Sequence, residues 1–247
     1  MNDEEFRLLD EIEEDHWWFR GKRMILRSLL ERHRPGGGAG TRRLLDLGCG
    51  TGGVLRDRSE GIACFGADRS ALALRICREK GFGQLARADL ANVPFAADAF
   101  DVVLALDLIE HLEDDVGFLR QAAHLCRPGG CMIVAVPAFP SLWSQHDVTF
   151  EHHRRYRAAG LRAVVEAAGL RVDRITHTNA LLFPAAAFWR IVVGRLRPAG
   201  SGQGHDFYRV PGFVNALLAL AYRFEAWWLR RADFPFGVSV VCVARRP

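Results

Sequence analysis

Lysine is almost missing from this chain of 247 residues. Of its 33 basic residues only Lys22 and Lys80 are not arginine. Long hydrophobic runs are missing too. The two most apolar stretches are Leu181 to Val193, broken by Arg190, and Phe213 to Leu229, broken by Asn215, Arg223 and Glu225. Neither reaches the roughly twenty apolar residues that a bilayer crossing needs. The six cysteines, at 49, 64, 77, 126, 131 and 242, show no CxxC spacing and no pairing pattern. They read as small buried side chains in a reducing cytoplasm. A basic leader is absent: residues 1–15 hold eight acids against Arg7. No signal peptide is expected there. That segment carries −7 of a formal +4, so the remainder carries +11. Such a basic body could face nucleic acid or an anionic membrane, but for most positions it reads as a solvated, Arg-biased surface.

The informative residues are concentrated in one stretch of nine, Leu44-Leu-Asp-Leu-Gly-Cys-Gly-Thr-Gly52. A short apolar strand ends at Asp46 and Leu47 and breaks into glycines spaced two apart. Glycine there supplies positive-φ freedom and removes Cβ atoms that would block a ligand. Thr51 to Arg58 can start a helix, so peptide N–H groups would point into the same turn. Further apolar segments come in order along the chain. Ile62 to Ala67 ends in Asp68, Gln84 to Ala88 in Asp89, and Asp101 to Leu106 in Asp107. Arg127-Pro-Gly-Gly130 leads into Cys131 to Val136. Strand, turn and helix alternate, with acids at the strand ends, as an open parallel sheet collects polar groups along its carboxyl edge. NAD-binding chains place their glycines as GxGxxG; here the third comes one place early, which argues against a nicotinamide cofactor.

With these residues in view, residues 43–136 are similar to the class I S-adenosylmethionine-dependent methyltransferases. The matching features are DLGCGTG, Asp68, Ala88-Asp89-Leu90, Phe100-Asp101-Val-Val-Leu104, the IEHL segment at 109–112 and the RPGG turn. The flanks His16-Trp-Trp-Phe-Arg-Gly-Lys-Arg23, His146 to Arg157 and Asp233 to Ser239 resemble the small-molecule branch akin to the ubiquinone and menaquinone biosynthesis enzymes. The resemblance implies an α/β fold. It would be a Rossmann-like, doubly wound seven-stranded sheet with its last strand antiparallel, N-terminal helices and a helical insertion before that strand. The expected organisation is an N-terminal helical lid over 1–38, a cofactor-binding core over 39–179, an apolar helical insertion over 180–236 and the final strand over 237–247.

The implied cofactor is S-adenosyl-L-methionine. Asp46, Gly48, Cys49 and Gly50 would face its methionine part and ribose. Asp68, with Arg69 beside it, would take the ribose hydroxyls, and Asp89 the adenine amino group, with Leu90 on the ring. Leu106 and Asp107 would lie beside the methionyl end, and Arg23 would take the carboxylate by a charge-assisted bond. Methyl transfer needs alignment and removal of a proton, so histidines are the base candidates. His111 follows the fourth strand, and His146 lies in a long loop with Asp147 and Glu151 to Tyr156. That loop could hold a base with its carboxylate, an anion-binding arginine pair or a solvated surface. No metal is expected, since no HExxH-like spacing occurs. His16 to Phe19 could be a water-excluding lid or ordinary packing.

The reading is a methyltransferase acting on a small or lipid-linked acceptor, with oxygen favoured over carbon or nitrogen. The alternative is a non-catalytic cofactor-binding regulator. Nucleic acid is not expected as substrate, because no Asn-Pro-Pro-Tyr-type tetrapeptide follows the fourth strand, where the chain reads Leu106-Asp-Leu-Ile109. A cytoplasmic location is expected. The 180–236 insertion could pack on its own sheet, form a lid or a dimer contact, or lie peripherally on the inner membrane surface.

Overall fold

The computed structural model describes residues 3–33, 41–56, 61–89, 92–193 and 210–247. Residues 34–38 of the expected lid, Leu90, and residues 194–209 of the expected insertion lie outside the described residues.

The seven strands are β1 (Arg42–Leu47), β2 (Ile62–Asp68), β3 (Leu85–Arg87), β4 (Phe100–Leu106), β5 (Cys126–Pro137), β6 (Arg171–Thr178) and β7 (Ser239–Arg245). They form one sheet in the order β3-β2-β1-β4-β5-β7-β6. The first five strands run parallel, and β7 inserts antiparallel between β5 and β6. The strand order reverses beside β1 and β4, where open α/β sheets bind ligands at their carboxyl ends. Helices cover both faces of this sheet, so central strands are buried on both sides and read as continuous apolar runs. Leu44, Leu45 and Leu47 of β1 and Val102 to Ala105 of β4 are all buried. Arg127-Pro-Gly-Gly130, expected to lead into the strand, lies within β5, whose register against β4 shifts between Phe100 and Val102.

The helices are α1 (Asp3–Ile12), α2 (Trp17–Arg32), α3 (Ala71–Glu79), α4 (Asp115–Leu125), the short α5 (Gln145–Thr149), α6 (Ala158–Ala167), α7 (Phe183–Phe188) and α8 (Gly212–Trp228). A π-turn over Trp189–Val193 continues α7. Local chemistry explains several starts. Ser70 accepts from Ala73 N at 3.2 Å to cap α3, and Asp114 accepts from Gly117 N at 2.7 Å to cap α4. One expectation fails locally. Residues 51–56 form turns, not the first coil of a helix. Gly52 and Gly53 sit inside that segment, and glycine is a poor helix former.

Helices α2 and α8 lie against each other beside the sheet. Ser28 Oγ donates to Ala226 O at 2.7 Å, and the Tyr222 ring packs against the backbone of Gly21. A Cβ on Gly21 would fall 2.3 Å from that ring, so only glycine permits this approach. Asn215 of α8 accepts from Trp17 N at 2.8 Å and donates to Asp15 O at 2.9 Å, tying α8 to the start of α2. Among the described residues no helix is long and apolar enough to cross a membrane.

Candidate active site

Strand β1 delivers its chain end into a turn fixed by backbone bonds. Gly48 N and Cys49 N both donate to Ala67 O of β2, at 2.8 and 3.1 Å. Gly48, Gly50 and Gly52 all take positive φ, at 74°, 53° and 87°. A Cβ on Gly48 would lie 2.8 Å from Leu108, so the loop after β4 closes one side. A Cβ on Gly50 would meet nothing within 4 Å, so that side of the turn is open to a ligand. Both oxygens of Asp68 work on the same turn: Oδ2 accepts from Gly50 N at 2.9 Å and Oδ1 from Ser70 N at 2.8 Å. Asp46 lies buried below, its carboxyl raised to about 8 by burial and then by the neighbouring Asp68 charge. Cys49 and Cys77 converge on Gly50 O, with Cys77 Sγ at 3.2 Å.

The acidic N-terminus reaches this turn, a connection that no local sequence pattern discloses. Glu13, 4% exposed, accepts from Thr51 Oγ1 at 2.6 Å and from Lys80 Nζ. Asp10 also pairs with Lys80, and Glu14 with Arg56 at 2.9 Å. Arg23 is spent in the same joint: its guanidinium donates to Glu13 O at 2.8 Å and Glu14 O at 2.9 Å. The structure therefore does not bring Arg23 to the sheet edge. Its neighbour Lys22 goes there instead, ion-paired with Asp107 and lying 5.2 Å over the Trp18 ring. Spacing could have disclosed this, since Trp18 and Lys22 share a helix face at i, i+4. Asp107 itself takes φ 50° at the end of β4, beside the half-buried Leu106. Arg69 and Asp89 are exposed at the ends of β2 and β3.

A cavity of about 370 Å³ opens beside Asp107. Trp17, Trp18, Phe19, Phe150, Leu182 and Trp189 give it aromatic and apolar walls. Its polar lining includes Glu110, both base candidates His111 and His146, and also His152. His111 is half-buried, and desolvation, then the nearby His152, lower it to about 4, so it is neutral at physiological pH. Of the alternatives left open for this loop, a carboxylate beside a base is present, and it pairs Asp147 with His152. Asp147 Oδ1 lies 2.9 Å from His152 Nδ1 and accepts from Arg155 Nε at 2.7 Å. Those two partners hold its carboxyl far below the usual range against its own burial. The carboxylate thus orients His152, whose ring stands edge-on to His111 with centroids 4.7 Å apart. Glu110 is fully buried, and both its carboxyl oxygens lack a hydrogen-bond partner. Desolvation and then Asp107 push that carboxyl well above its ordinary value. Among the described residues, Glu110, His111 and His152 bring one ligating atom each to within 4.8 Å of one another.

Fold and site together define a doubly wound nucleotide-binding α/β protein whose glycine turn and acid-tipped strands adjoin an aromatic cavity. A family model described as a methyltransferase domain matches residues 45–134. The chain is 31% identical over 169 residues to a ubiquinone biosynthesis O-methyltransferase of Sinorhizobium fredii, a match covering 60% of this chain and 67% of the relative. It is 36% identical, with the same coverage, to the protein of that name in Rhizobium rhizogenes. Further relatives of that name are matched over about two fifths of their length. A Haloferax volcanii chain solved in complex with the Trm112 methyltransferase activator has the same fold. Its TM-score is 0.63 at 20% identity, covering 99% of this chain and 95% of that one. The chain belongs to the class I S-adenosylmethionine-dependent methyltransferases, and S-adenosylmethionine is its cofactor.

Proposed function

We infer that this enzyme methylates an oxygen of a small or lipid-linked molecule held in the aromatic cavity. The observation that carries this reading is that Asp107, which lines a cavity combining aromatic walls with histidines, precedes Leu108, the residue that closes on Gly48 of the glycine turn. Bound cofactor supplies an electrophilic methyl on a sulfonium. Asp46, Gly48, Cys49, Gly50, Asp68, Arg69, Asp89, Leu90, Leu106 and Asp107 form the proposed binding edge, with Lys22 in the role expected of Arg23. In the cavity, His111 and His146 are the proposed proton acceptors. His152 joins them, because Asp147 at its Nδ1 leaves Nε2 to take the proton from an acceptor hydroxyl. The N-terminal helices act as a lid, with His16 to Phe19 excluding water above the acceptor.

The described part of 180–236 supports a cap that also rests on anionic membrane. Helix α8 buries Ala219, Tyr222, Glu225 and Ala226 and turns Phe213, Leu217, Leu220, Phe224 and Trp227 outward. Phe213 is 78% and Leu217 66% exposed. Arg223, Arg230 and Arg231 flank this stripe. Apolar side chains entering the headgroup boundary beneath arginines suit a peripheral, cytoplasmic-side position. The carboxylate-histidine pair and the outward stripe together favour a hydroxyl on an apolar acceptor. Incubating cell extract and enzyme with methyl-labelled S-adenosylmethionine, followed by untargeted mass spectrometry, tests the reading. A labelled, lipid-extractable methyl ether is the expected product, whereas label only on amines or on protein contradicts it.

A further inference from the structure

One wall of the cavity has no part in the chemistry above. Asn179, immediately after β6, is 3% exposed, lines the cavity and holds a left-handed backbone at φ 57°. A carboxylate from α8 clamps it there. Asn179 N donates to Glu225 Oε2 and Leu181 N to Glu225 Oε1, both at 2.8 Å. Glu225 is itself fully buried. The carboxamide is not used in this way: Asn179 Oδ1 is buried with no hydrogen-bond partner. Buried amide oxygens are nearly always paired, so an unpaired one in a ligand-sized cavity calls for a partner from outside the chain. The residues after it, Leu182 and Ala186, and facing Val238 offer only apolar surface.

We propose that the Asn179 carboxamide is the specificity-determining polar contact for the acceptor, engaging a hydroxyl on a flat apolar molecule, with Glu225 as its positioning residue. The identity of the cavity as the acceptor site rests on the methyl-transfer reading; the contact itself does not. A carboxamide offers an acceptor oxygen and donor N–H groups, and a hydroxyl can satisfy either. The walls of Trp17, Trp18, Phe150 and Trp189 suit a planar body. A site built around such a polar contact discriminates against the analogue that lacks the hydroxyl, because the buried amide is then left unpaired. Asparagine also tolerates left-handed backbone, and that alone could place it here. Glycine separates the two roles, since Asn179→Gly keeps the backbone and removes the amide.

The test is ligand-observed NMR on protein saturated with S-adenosylhomocysteine, using 2-naphthol and 2-methylnaphthalene as probes. The wild type is expected to prefer 2-naphthol by about tenfold, the scale of one buried hydrogen bond. Asn179→Gly should bind both probes equally with an unchanged melting temperature. Asn179→Asp, which keeps acceptor oxygens, should retain the preference. Glu225→Gln should reduce it while leaving 2-methylnaphthalene affinity as in the wild type. A preference that survives in Asn179→Gly, or a wild type that binds neither probe or both alike, overturns the proposal. The probes are compared without S-adenosylhomocysteine as well, so failure of that ligand to bind contradicts the proposed cofactor edge and leaves the second probe comparison intact.

Discussion

The N-terminal helices and α8 pack on each other, yet they spend their side chains in opposite directions. Helix α1 and its exit are the most acidic part of the chain, and three of their eight acids pair with groups beside the glycine turn. Glu13 is buried on Thr51 and Lys80, Asp10 reaches Lys80, and Glu14 reaches Arg56. Helix α8 is the most apolar part, and much of that apolar surface turns outward. Composition alone therefore misassigns both. An acidic leader looks like a solvated tail but ties down the cofactor turn. An apolar helix looks like core but buries only one face, on α2, through Tyr222, Ala226 and Ser28. This is a division of labour: the acidic segment braces the glycine turn through Glu13, and the apolar helix holds Asn179 in the cavity wall through Glu225.

The largest effect expected lies in the aromatic cavity beside Asp107. If proton removal contributes to the slow step, replacing the responsible histidine by alanine should lower kcat by roughly 10²–10⁴ with cofactor affinity unchanged. Single-turnover rates of His111→Ala, His146→Ala and His152→Ala would identify it. Full turnover in all three would assign catalysis to alignment alone.

The comparison predicts next that an acid of the α1 exit matters to cofactor binding. Glu13→Ala leaves Thr51 Oγ1 without its acceptor and Lys80 with Asp10 and the Thr51 carbonyl. It should cost about 1–3 kcal/mol of stability and weaken S-adenosylmethionine binding at the same time. Thermal melts with and without cofactor measure both, and a stability loss with unchanged affinity would reduce this segment to packing. Asp68→Ala should weaken the cofactor by about 1–3 kcal/mol, since charge-assisted bonds to the ribose and the Gly50 brace are lost together. Calorimetric titration that finds the variant binding like the wild type would remove Asp68 from the site.

A smaller effect follows from Asp46. Its folded carboxyl is raised from 3.8 to about 8. The folded state therefore holds a proton that the unfolded state has released across that window. Stability from this group is fully present below 3.8 and is lost as pH rises toward 8. Asp46→Asn keeps the shape without the titration, so its melting temperature relative to the wild type should climb between about pH 4 and 8. A constant difference would place the carboxyl proton elsewhere.

The strands are legible in the sequence, because buried parallel strands leave unbroken apolar runs between turn residues. Asp68 and the glycine turn are legible together, because each sits at the carboxyl end of a strand and parallel neighbours bring those ends side by side. The turns at 51–56 read as a helix start, since the polar sequence there fits either. The Asp147–His152 pair is not legible, because the two lie five residues apart across the end of the short α5, a separation that no helical or strand period marks. Lys22 pairs with Asp107 while Arg23 reaches the carbonyls after α1, because one helical residue is a rotation of about 100°. Asn179 and Glu225 lie 46 residues apart, beyond any local pattern.

The most direct test of the division of labour measures two variants in two assays. Glu13→Ala and the double variant Phe224→Ser with Trp227→Ser are each titrated with S-adenosylmethionine and co-sedimented with phosphatidylglycerol vesicles at low salt. The account predicts a crossed result. Glu13→Ala weakens cofactor binding and keeps vesicle binding. The double variant, altered only where side chains are exposed, keeps cofactor binding and loses the vesicles. Vesicle binding unaffected by the double variant, or cofactor affinity indifferent to Glu13, would contradict the account.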